Sequence, residues 1–121
     1  MAREPLVAVI DDDEPFRTAL IESLDSLGYG ARGFASAEEF VATDGEKSCD
    51  CVITDIHMPG SMDGLKLARA IRDRWPPIEL ILTSAFLKLA VRDLPERGVF
   101  LPKPYLPEAL TEALHHFDGH H

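Results

Sequence analysis

Apolar runs rich in β-branched residues alternate along this chain with segments whose apolar positions recur every three or four residues. The first strand is predicted over Leu6 to Ile10. A helix opens near Pro15, with its inward face at Phe16, Ala19, Leu20, Leu24 and Leu27 and its stop at Gly28. A short second strand, Ala31 to Phe34, precedes Ser36-Ala37-Glu38-Glu39, a capping box in which Ser and Glu satisfy orphan amides at the start of a brief helix. The third strand, Cys51 to Thr54, reads as buried on both faces, and the helix that follows from about Gly64 to Trp75 is stopped by Pro76-Pro77. Leu80 to Thr83 and Val99 to Leu101 are the fourth and fifth strands. A last helix from about Pro107 carries an apolar face of Ala109, Leu110, Ala113, Leu114 and Phe117. Such alternation predicts crossover helices over a parallel sheet.

At 121 residues the chain is long enough for one domain, expected over residues 1–118 with a disordered tail at 119–121. Lys and Arg number 12 against 21 Asp and Glu, a formal charge of −9. Without a basic stripe to neutralise phosphates, nucleic acid is excluded as a partner and proteins are favoured. The longest apolar runs are about five residues, against the ~18 needed to cross a bilayer, so no membrane span is expected. The first run is too short for a secretory signal and has no small-residue cleavage site after it, which predicts a cytoplasmic protein. Cys49 and Cys51 are too close together for a framework disulfide and read as thiols.

In a doubly wound sheet, ligands bind beyond the carboxyl ends of the strands, and those positions are polar in this chain. Asp11, Asp12 and Asp13 come after the first strand, Asp55 after the third, Thr83 and Ser84 after the fourth, and Lys103-Pro104 after the fifth. Clustered carboxylates repel one another unless a cation lies among them, and an all-oxygen donor set suits Mg²⁺. Magnesium takes one or two carboxylates and keeps several waters, which leaves room for a phosphoryl oxygen. A carboxylate beside it can attack phosphorus while a lysine and a hydroxyl steady the equatorial oxygens, giving an aspartyl phosphate. Taken singly, these residues also read as a capped turn, a turn residue and a solvated charge; jointly, that reading leaves the coincidence at four strand ends unexplained. Asp13 reads as the N-cap of the first helix.

Ile10-Asp11-Asp12, Asp55 in the run DIHMPGSMDG, Ser84-Ala85 and Lys103-Pro104-Tyr105 resemble the receiver domain of bacterial two-component response regulators, in order and spacing, over nearly all of the chain. The resemblance implies a flavodoxin-like, doubly wound five-stranded parallel sheet of order 2-1-3-4-5. It implies Asp55 as phosphoacceptor, Asp12 as direct Mg²⁺ ligand, Asp11 as a ligand acting partly through water, and the backbone carbonyl of His57 completing the protein's share of the metal shell. Ser84 corresponds to the hydroxyl that reads the phosphoryl group. Thr83 competes for that role, but Ser84 is followed by a small residue, as in the family. Lys103 corresponds to the lysine that pairs with the phosphoryl group, Phe100 to the switch aromatic, and the Lys103-Pro104 peptide is expected to be cis. His57 and Phe86 stand where the family tunes the lifetime of the phosphoryl group.

The function implied is transfer of a phosphoryl group from a sensor histidine kinase or a histidine phosphotransfer protein to Asp55. Because no second domain follows Phe117, a stand-alone receiver switching a separate output protein is expected, and a homodimer is compatible with the family. Such a domain phosphorylates and dephosphorylates itself without turning over an external substrate. The alternatives are a shuttle without its own output, a scaffold that is never phosphorylated, and a Mg²⁺-dependent phosphohydrolase. Relatives of that hydrolase carry a second aspartate two residues after the nucleophile, where His57 stands. Two departures from the family pattern are visible. Gly60 and Ser61 add one residue before Met62, which predicts an outward bulge. Only 14 residues separate Ser84 from Val99, which predicts a shortened or irregular fourth helix and a mobile segment from Phe86 to Gly98.

Overall fold

The computed structural model of the protein describes residues 6–43, 49–56, 63–84, 94–95, 97–103 and 105–118, the last three as backbone only. The elements in chain order are β1 (Leu6–Ile10), α1 (Glu14–Ser26), β2 (Gly30–Phe34), α2 (Ala37–Ala42), β3 (Cys51–Asp55), α3 (Gly64–Arg74), β4 (Glu79–Ser84), β5 (Gly98–Pro102) and α4 (Pro107–Asp118). The strands form one sheet of order β2-β1-β3-β4-β5, and every neighbouring pair is parallel. This is the flavodoxin-like order expected. The α4 helix is the last one predicted from the sequence. The expected crossover helix between β4 and β5, and its mobility, fall almost wholly on residues outside those described.

Alternation along the inner strands divides the core into two layers. Ala8, Ile10, Val52, Leu80 and Leu82 face Phe40 of α2 and Leu67, Ala68 and Ile71 of α3. Val7, Val9, Cys51, Ile53 and Ile81 face Leu20 and Leu24 of α1 and Leu110, Ala113 and Leu114 of α4. Cys49 belongs to the first layer and Cys51 to the second, and neither is in a disulfide.

The inward face of α1 needs one correction. Leu20 and Leu24 are buried, but Ala19 and Leu27 are exposed, and the half-buried Ile21 joins the face in their place. At 100° per residue the positions 16, 17, 20, 21 and 24 form one stripe, and Ala19 falls well off it. Leu27 lies near the stripe in angle but is the C-cap, past the last turn. Gly28 follows at φ +92, a conformation that glycine adopts without strain, and so ends the helix.

The caps follow the sequence closely. Asp13 accepts from the Phe16 N–H, Ser36 from Glu39 and Asp63 from Lys66. In the capping box, Glu39 reaches back to the N–H of Ala35, one residue before the cap. The strands β3 and β4 each run further than predicted at their carboxyl ends, taking in Asp55 and Ser84. Among the described residues no helix is long and apolar enough to cross a membrane.

Candidate functional site

The first corner of the site is built by three consecutive aspartates with three different tasks. Asp11 continues the β1 ladder, its N–H donating to the Phe34 carbonyl at 3.0 Å, and its side chain turns inward to 2% exposure. Its Oδ1 accepts from the Asp13 N–H at 2.9 Å, an Asx turn that bends the chain into α1. Arg17, one turn into that helix, donates to the Asp11 carbonyl at 2.6 Å. Asp13 caps the helix, and Asp12 is exposed at the rim.

Asp55 ends the central strand β3, opposite Thr83 of β4, and is buried. Lys103 follows β5 and is fixed by its N–H, which donates to the Ser84 carbonyl at 2.8 Å. From there its ammonium donates to Asp11 Oδ2 at 2.8 Å and to Asp55 Oδ2 at 3.2 Å. Asp11, Asp12 and Asp55 each bring a carboxylate oxygen within 4.8 Å of the others. Three clustered carboxylates, two of them in contact with the Lys103 ammonium, leave an excess of negative charge that a divalent cation would relieve, so the donor set suits Mg²⁺.

Charge decides the protonation of Lys103. Burial alone would lower its pKa, but the hydrogen bond and charge of Asp11, followed by the charge and hydrogen bond of Asp55, outweigh burial and raise it. Tyr105, two residues on, is pushed up to about 12, first by burial and then by the charge of Asp11. Both folded-state pKa values lie above their unfolded ones, so the native state holds more protons in alkali and stability falls as pH rises. The Lys103 contribution is complete below its ordinary value of 10.5 and is lost as pH climbs through the raised one; the Tyr105 effect spans 10.0 to about 12. We expect absorbance titration of phenolate to show a late-titrating tyrosine that disappears in Tyr105→Phe. A single transition near the model-peptide value in both proteins would contradict this.

The structure thus brings together Asp11, Asp12, Asp55 and Lys103. Ser84 lies at the end of β4, fully buried, with its carbonyl held by Lys103. The rival hydroxyl, Thr83 Oγ1, is turned to the Thr54 carbonyl at 3.5 Å. Phe100 is half-buried on β5 opposite Leu82 and packs against the layer under α3. His57, Phe86, the Gly60-Ser61 bulge and the peptide to Pro104 lie outside the described residues. Two neighbours of the site were not singled out in the sequence as site residues. Phe16 has its ring centroid 4.0 Å from Lys103 Nζ, and Gly64 has its Cα so near Asp55 that a Cβ would sit 1.9 Å from the Asp55 carbonyl oxygen. The only sequence signals were an aromatic on the inward face of α1 and the glycine that ends the DIHMPGSMDG run.

Residues 7–115 match the family model described as the response regulator receiver domain. The C4-dicarboxylate transport transcriptional regulatory protein DctD of Rhizobium meliloti is 34% identical over 116 residues, 93% of this chain and 25% of that protein. The transcriptional regulatory protein FixJ of Bradyrhizobium diazoefficiens is 33% identical over 108 residues, 87% of this chain and 52% of that protein. The chain therefore spans between a quarter and about half the length of these relatives. Among solved structures, a response regulator receiver domain protein from Clostridium thermocellum superposes with a TM-score of 0.84 at 25% identity, covering 96% of this chain and 95% of that one. The structure described as FixJ-N gives 0.81 at 27% identity, covering 99% and 98%. With the same sheet order and an acidic site at the same strand ends as its sequence motifs predicted, the chain belongs to the response regulator receiver domain family.

Proposed function

We propose that this receiver domain accepts a phosphoryl group on Asp55 from the phosphohistidine of a sensor kinase or a histidine phosphotransfer protein, in the cytoplasm. The observation that carries the reading is the Lys103 ammonium, held between Asp11 and Asp55 at 2.8 and 3.2 Å with Asp12 beside them. In the reaction a carboxylate oxygen of Asp55 bonds to phosphorus as the phosphorus–nitrogen bond of the donor breaks, and the imidazole leaves with the electron pair. Lys103 keeps its proton and pairs with the incoming phosphoryl oxygens. Ser84, at the end of the neighbouring strand, supplies the hydroxyl. Asp11, Asp12 and Asp55 would hold Mg²⁺, with the His57 carbonyl as a further donor, and the ion supplies charge neutralisation at the phosphoryl oxygens. Phosphorylation then alters the affinity of the domain for an output protein, with Phe100 as the switch.

Acetyl phosphate tests this directly. With Mg²⁺ the chain is expected to take up one phosphoryl group, and excess chelator is expected to stop uptake. Labelling that persists in chelator would remove the metal from the reading. Many turnovers on a phosphate ester would instead identify a phosphohydrolase.

A further inference from the structure

The acidic site is closed on one side by Phe16, which belongs to none of the motifs that identify the family. Lys103 Nζ lies 4.0 Å from the centroid of its ring, well inside the ~6 Å over which a ring face attracts a cation. Carboxylates of Asp11 and Asp55 take two directions of the ammonium and the ring takes another, so the lysine side chain is only 14% exposed. The ring is itself held. Its backbone N–H is capped by Asp13 Oδ1 at 3.3 Å, and it meets Tyr105 edge to face, with centroids 5.8 Å apart and planes at 88°. It therefore joins α1 to residues on both sides of position 104.

We propose that Phe16 is a positioning residue for phosphoryl transfer, its ring face holding the Lys103 ammonium toward Asp55; this rests on the reading of Asp55 as phosphoacceptor. A lysine has a long flexible stem and loses considerable rotamer freedom when fixed at one point. Its carboxylate partners alone do not fix that point during the reaction. As the Asp55 oxygen bonds to phosphorus and the donor's leaving group departs, Asp55 ceases to be a full anion and the ammonium must follow the charge to the phosphoryl oxygens. The ring face does not change in that step. It attracts the cation without adding a further full negative charge beside the arriving phosphoryl group. An aliphatic side chain would fill the same space and exert no such pull.

The attraction comes from the ring quadrupole, so it can be weakened without changing shape. Phenylalanines with one, two and three ring fluorines at position 16 are expected to slow Asp55 labelling by acetyl phosphate in steps, by about fivefold to tenfold in all. Phe16→Tyr keeps the face and should label at nearly the parental rate, whereas Phe16→Leu should be as slow as the trifluoro variant. The Lys103 ε-methylene protons should resonate upfield in the parent and lose that ring-current shift in Phe16→Leu. A flat rate across the fluorinated series, with the parent labelled on Asp55, overturns the role of Phe16 alone. A parent that takes no label overturns the phosphoacceptor reading, and this proposal with it.

Discussion

Asp55→Asn is expected to abolish phosphoryl labelling and, without Mg²⁺, to leave the domain at least as stable as the parent. The first effect follows from chemistry, because a carboxamide is not a nucleophile toward phosphorus and offers no anionic ligand. The second follows from counting charges. Asp55 shares a site no wider than 4.8 Å with Asp11 and Asp12, and among its compensating contacts is the Lys103 ammonium at 3.2 Å. With an effective dielectric of ~20, each like-charge pair costs about 3 kcal/mol and the lysine contact returns about 5. Solvent at the exposed Asp12 weakens one repulsion, so these three contributions nearly cancel. Thermal unfolding in chelator should therefore give an equal or higher midpoint for Asp55→Asn. Added Mg²⁺ should raise the parent's midpoint and the variant's much less, by mass action at the site. A labelled Asn variant would end the phosphoacceptor reading; a variant several kcal/mol weaker in chelator would make Asp55 a structural residue.

Much of this site was legible because the chain places its polar residues at strand ends. The runs Leu6 to Ile10, Cys51 to Thr54 and Leu80 to Thr83 announce a parallel sheet, and each is followed by or closes on a group with site chemistry. The boundaries were missed where polarity was taken for exit from the sheet. Asp55 and Ser84 continue their ladders into a buried position, since a site inside the mouth of the sheet needs polar groups on regular backbone. The division of labour among Asp11, Asp12 and Asp13 was readable only in part. Asp13 as N-cap follows from its distance to the helix. The inward turn of Asp11 depends on its Asx bond and on Arg17, which no periodicity encodes. Phe16 was read as core from its place on α1, and it does pack against the second layer. Its approach to Lys103 depends on how α1 and the end of β5 meet across the sheet, a relation between distant segments with no local signature.

Gly64→Ala is expected to be strongly destabilising, although one methyl group is all it adds. At an unconstrained helical position the change would gain up to about 1 kcal/mol in propensity. At Gly64 a Cβ would lie 1.9 Å from the Asp55 carbonyl oxygen, 2.7 Å from its carbonyl carbon and 2.9 Å from Thr54 Oγ1, against ~3.5 Å for ordinary contact. The strand cannot retreat, because β3 is hydrogen-bonded to β1 on one side and β4 on the other. The burden falls on α3, whose first residue is tied to the strand by the Gly64 N–H to the Ile56 carbonyl at 3.1 Å. Moving the helix away withdraws Leu67, Ala68 and Ile71 from the core layer they fill. Overpacking of this kind costs about 3 kcal/mol, which for a domain of this size lowers the thermal midpoint by roughly 10 °C. Gly28→Ala is the control: its φ is +92 and nothing lies within 4 Å of the added carbon, so backbone strain alone should cost about 1 kcal/mol. Because Gly64 presses on the backbone of Asp55 itself, folded Gly64→Ala should also label more slowly than the parent at temperatures well below its midpoint. A Gly64→Ala protein as stable as Gly28→Ala would mean that α3 can shift freely, and that its close contact with β3 does not hold the acidic site in place.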